Sequence, residues 1–102
     1  MDSVYWFMFL ARPEPDNPHY FHVPGAFVDA WVANCDMVLA EHMARNAIER
    51  KQWRIERLEK WAMVSRQTYH NSPQLRKHFE EAWLFGESLS FYLWPAEEVK
   101  VA

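Results

Sequence analysis

The chain has 102 residues, half of them hydrophobic and 17% aromatic, with six Trp, seven Phe and only two Gly. That composition excludes intrinsic disorder, which needs low hydrophobicity and high net charge, and the length sets one domain around one core. A net charge of −3 gives no electrostatic basis for a nucleic-acid partner, and a single cysteine, Cys35, allows no internal disulfide.

Val4 to Ala11 (VYWFMFLA) is apolar on both faces and is stopped by Arg12-Pro13. An aromatic run of that length reads as a strand buried on both sides. It has no basic residues before it and is too short to span a membrane, so a soluble, cytoplasmic protein is expected. Arg12 to Pro24 carries four prolines with Asp16 and Asn17, which is loop chemistry. His19 and His22 lie in it three residues apart, but the flanking prolines forbid a helix that would aim both at one metal. They are kept as ligand candidates, with no metal or cofactor expected.

Pro24-Gly25 is a turn, and Ala26 to Ala33 (AFVDAWVA) is the next extended run. Phe27, Asp29 and Trp31 share one face of it, and Val28, Ala30 and Val32 share the other. An acid inside an apolar strand sits at a sheet edge, accepts a backbone hydrogen bond, or is a buried carboxyl with a raised pKa, so Asp29 joins the ligand candidates. Asn34 or Asp36 can cap the helix that follows. Ala40, Met43, Ala44, Ala47 and Ile48 give that helix an apolar stripe, with Glu41, Arg45 and Glu49 outside it.

Lys51 to Gln67 supports two readings. Its helix propensity would prolong the preceding helix to Gln67, about 45 Å in all, and leave Trp53 and Trp61 off the stripe. Alternatively the helix ends near Lys51, and Trp53 to Ser65 is a long, partly irregular strand with Trp53, Ile55, Trp61 and Met63 on one face. Basic residues from Arg45 to Lys60 alternate with Glu41, Glu49, Glu56 and Glu59, the pattern of a solvated, salt-bridged surface. Ser72-Pro73 then starts a second helix striped by Leu75, Phe79, Ala82 and Trp83, with His78, Glu80 and Glu81 pointing away and Gly86 as its stop. Ser88 to Trp94 (SLSFYLW) is a last strand ended by Pro95. Residues 1–95 form the domain and 96–102 a tail.

Three features recur together in one group. They are Gly25-Ala26-Phe27-Val28 with Trp31-Val32, the Ala40-Ala44-Ile48 helix closed by Trp53, and Trp94-Pro95. In these the chain resembles a group of small uncharacterised bacterial proteins. The resemblance implies a ferredoxin-like α+β fold: an antiparallel sheet of four to five strands with two helices on one face, and a strand after Trp53. The group usually has Gly before the helix-closing Trp, where this chain has Gln52. No activity is implied.

Two helices on one face leave the other face of such a sheet bare, with Tyr5, Phe7, Phe9, Tyr92 and Trp94 as its candidates. An exposed apolar patch of that kind marks an interface. The expected function is a small protein-interaction module, a homodimer or a binder or inhibitor of another protein. One alternative is a ligand-binding protein or enzyme with a cavity under the sheet, using His19, His22 and Asp29, with His42, Tyr69 and His70 as further polar groups. The other is a helical coiled-coil adaptor dimerising through Ile48 to Ala62. No nucleophile motif, phosphate loop or thiolate pair assigns a catalytic residue, and neither a nucleic acid nor a membrane is expected as partner.

Overall fold

The computed structural model describes residues 2–95; the expected tail at 96–102 lies outside the described residues. Strand β1 (Ser3–Pro13) returns through a long loop to β2 (Ala26–Asn34), which feeds helix α1 (Met37–Glu49). Strand β3 (Trp53–Val64), a 3-10 turn (Arg66–Tyr69), helix α2 (Pro73–Phe85) and strand β4 (Glu87–Leu93) follow. The four strands form one antiparallel sheet in the order β3-β1-β2-β4. The α+β class and the antiparallel sheet are as expected. A ferredoxin-like fold has the element order β-α-β-β-α-β, whereas this chain opens with two consecutive strands, so that finer expectation is not met.

The placement of the helices corrects a second expectation. Successive side chains of a strand point to opposite faces. On one face Phe7, Phe9, Ala26, Val28, Ala30 and Val32 pack with Ala40, Ala44 and Ile48 of α1. On the other, Val4 and Trp31 pack with Phe79 and Ala82 of α2 and with Tyr69. The two helices therefore lie on opposite faces of the sheet. The reason is in the strands themselves. Both central strands are apolar on both sides, and a single layer of helices would leave one of those sides in water.

Local chemistry fixes the ends of α1. Asp36 caps it, accepting from the amides of Val38 at 2.7 Å and Leu39 at 3.3 Å. At the far end Gln52 takes the left-handed conformation, φ 68°. Its carbonyl then accepts from the Glu14 amide at 2.9 Å and from Asn17 Nδ2 at 3.0 Å. The chain thus leaves the helix at Gln52 and enters β3. That removes the continuous helix a coiled-coil adaptor needs, since Ile48 is in α1 and Ala62 in a strand. β3 slips register against β1 twice, between Met8 and Phe9 and between Leu10 and Ala11. These irregularities keep Trp53, Ile55, Leu58, Trp61 and Met63 on the α1 face despite their uneven spacing.

Helix α2 begins with Pro73 in its first turn, although the Ser72 hydroxyl makes no capping bond. It ends at Gly86, whose φ of 99° is open to glycine. His78 does not point away, as its place off the stripe suggested: its ring stacks on Trp31, centroids 4.5 Å apart. The charged residues pair as their alternation predicts, with Arg12 and Arg54 on Glu56, Arg45 on Glu41 and Arg57 on Glu59. No helix among the described residues is long and apolar enough to cross a membrane.

Candidate functional site

The five aromatic residues expected on a bare face do not share one. Phe7 and Phe9 are fully buried beneath α1, with Tyr5 half-buried beside them. Tyr92, 59% exposed, pairs with Phe27 on the opposite face. Trp94 follows at the same end, its ring edge-on to Phe27 at 5.4 Å and under the Arg12 guanidinium at 4.8 Å. Gly25 makes room for it: a Cβ there would lie 2.7 Å from the Trp94 ring. Tyr92 and Trp94 are thus brought together with Phe27, which the sequence reading put on one face of its strand with Asp29 and Trp31 and did not name among the interface candidates. Leu93 adds an exposed side chain on the other side of the strand.

This aromatic end is carried by β4, the edge strand. Its backbone can be assigned residue by residue. The Trp94 amide donates to the Gly25 carbonyl, and the Gly86 carbonyl accepts from the Ala33 amide, both at 2.9 Å. The register between them is unbroken, so even-numbered residues of β4 turn their amides and carbonyls toward β2. Glu87, Leu89, Phe91 and Leu93 turn theirs outward, and among the described residues no strand pairs with them. The other edge is built differently. β3 carries Arg54, Glu56, Arg57, Glu59 and Lys60 and its two register slips, the devices by which natural sheets blunt an edge. β4 has neither: one charge, Glu87, stands at its end, and the rest is Ser, Leu, Phe and Tyr.

The ligand candidates separate as well. His19 lies in the loop against Trp53 on the α1 face, ring centroids 6.3 Å apart, and His22 is exposed in the same loop. Asp29 points to the α2 face, so the three form no common site. Asp29 is neither at an edge nor bonded to backbone. It sits in a central strand and accepts from the Trp6 indole N–H at 3.1 Å. Burial raises its pKa above the ordinary carboxylate value, against the lowering effects of the Trp6 hydrogen bond and of His78. Burial likewise raises Tyr69, whose oxygen accepts from Trp31 Nε1 at 3.0 Å. Nearby, Ser88 Oγ donates to Glu81 at 2.8 Å and meets His78 Nδ1 at 2.8 Å. With the serine between the histidine and the glutamate, no base takes its proton toward a substrate, and the trio braces α2 on β4.

Sequence reading passed over Asn17, which only its turn chemistry marks. It is 4% exposed and ties the loop to the end of α1. No protein-family model, no curated protein and no solved structure matches this chain.

Proposed function

We propose that the protein is a small interaction module that pairs with a second copy of itself through the outer edge of β4, beside Phe27, Tyr92 and Trp94. The carrying observation is the asymmetry of the two sheet edges. One carries five charges and both register slips over residues 54–60, and the other is regular along its whole length and nearly uncharged. An extended segment adds to such an edge by main-chain hydrogen bonds. A second β4 suits it because the strand is complementary to its own reverse. Antiparallel pairing about Ser90 sets Leu89 opposite Phe91 and Ser88 opposite Tyr92, and no like charges meet. The result is a continuous eight-stranded sheet with a two-fold axis. The reading goes with a cytoplasmic protein, whose lone cysteine is a free, exposed thiol.

Light scattering tests it. At about 50 µM a Kd of about 1 µM leaves the dimer dominant, so the expected mass is that of two chains. Leu93→Pro removes an outward amide without touching a bond to β2, and the expected mass falls to one chain with the circular dichroism unchanged. A native chain that stays strictly monomeric overturns self-pairing.

A further inference from the structure

Beside the Trp6–Asp29 pair, the α2 face of the sheet, the 3-10 turn and α2 border a cavity of about 290 Å³. Trp6, Trp31, Tyr69, Val64 and Leu75 line it, and Asp29 is its one charged group. Two hydrogen-bonding positions there are unused among the described residues. Asp29 engages Trp6 through Oδ1, which leaves Oδ2 open, and Tyr69 Oη accepts from Trp31 while its own proton has no acceptor. We propose that this cavity binds a small aromatic amine, its ring among the two indoles and Tyr69 and its ammonium on Asp29.

Each part of that ligand answers a part of the site. Flat aromatic walls favour a ring, and indole faces also attract a cation at short range. A partly buried carboxylate beside apolar walls keeps less of the water that stabilises its charge. An ammonium supplies the missing counter-charge, a neutral ligand does not, and an anion is repelled. Size restricts the ligand further. The cavity is larger than the roughly 150 Å³ that accepts benzene and falls at the foot of the roughly 300–1,000 Å³ range of drug-sized sites, which fits one ring with a short chain. The cost of ionising Asp29 in its buried position is the cost that the amine would relieve. The other titratable groups near it are His78 from α2 and Tyr69 from the 3-10 turn. Lys60 stands on the same sheet face two strands away, through Met8. The cavity is distinct from the outer edge of β4, so self-pairing and amine binding can fail independently.

The test uses the full chain and three probes of one shape: 2-phenylethylamine, 2-phenylethanol and 3-phenylpropionate. Nuclear magnetic resonance titration is expected to show saturable binding of the amine, with shifts at the indole N–H groups of Trp6 and Trp31. The alcohol should bind at least about tenfold more weakly and the acid not at all. Asp29→Asn should weaken the amine about tenfold and leave the alcohol unchanged, with the fold checked by circular dichroism. In the native chain the amine's affinity should fall as acid protonates Asp29, which needs no variant. Amine and alcohol binding equally, an amine insensitive to Asp29→Asn, or no saturation by about 10 mM would each overturn the proposal.

Discussion

At the scale of single residues, Gln52 and Asn17 settle where α1 stops. A non-glycine residue at φ 68° is held in a conformation that costs about 1–2 kcal/mol. The hydrogen bonds at its carbonyl hold it there. Glycine adopts the same conformation freely but loses more entropy on folding, so Gln52→Gly is expected to stabilise by about 0.5–1 kcal/mol. Thermal unfolding should show Tm higher by ~3–6 °C, and a lower Tm would refute the strain. Asp29 carries the opposite kind of cost. Its pKa is raised in the folded state, so folding favours its proton; ionising it therefore takes stability away as pH climbs from the ordinary value of 3.8 through the folded value. Asn keeps an oxygen for the Trp6 indole and cannot ionise. Asp29→Asn should therefore raise Tm at pH 7 and lose that advantage as the pH falls below the ordinary carboxylate value of 3.8. An advantage that persists at low pH would show that repacking, not charge, is responsible.

At the scale of elements, the same physics explains what the sequence disclosed. The α1 stripe was legible because Ala40, Ala44, Ala47 and Ile48 are buried at the helical period and Asp36 caps them. β3 was half legible. Its Lys, Arg, Glu and Leu content favours helix; the uneven recurrence of Trp53, Ile55, Trp61 and Met63 on one side, the excessive length of a continuous helix and the resemblance pointed to a strand. Register slips resolve that recurrence, and slips are a property of the pairing with β1, which no local window contains. The helix faces were illegible for a related reason. Periodicity shows that β1 and β2 are apolar on both sides, but which helix covers which side depends on how the chain crosses the sheet. Assigning both helices to one face left Phe7 and Phe9 bare, where the structure buries them under α1. Asp29 was legible as an oddity, while its partners Trp6, Tyr69 and His78 come from three other elements.

For the whole molecule, the consequence of helices on opposite faces is that neither face is free along its length, and what stays open is the ends of the faces, with Trp61 and Met63 on one and Phe27 and Tyr92 on the other, and the edges. α1 covers the middle of one face, and α2 with the 3-10 turn covers one end of the other. Tyr92, Leu93 and Phe27 remain exposed at the far end of β4. An unprotected edge strand is an aggregation hazard unless something occupies it, and a two-fold partner closes it without leaving a new edge of the same kind. The eight-stranded sheet that self-pairing would form would end on both sides in β3, which carries charges and two register slips. This predicts a pattern of amide exchange that depends on protein concentration. The outward amides of Leu89, Phe91 and Leu93 should exchange quickly in dilute solution and slow as concentration rises. Those of Ser88, Ser90 and Tyr92, which face β2 at every concentration, should change little and serve as the internal reference. The outer edge of β3 should show no concentration dependence. Slowing at β3 instead of β4 would place the association on the opposite edge and remove the basis for self-pairing through β4.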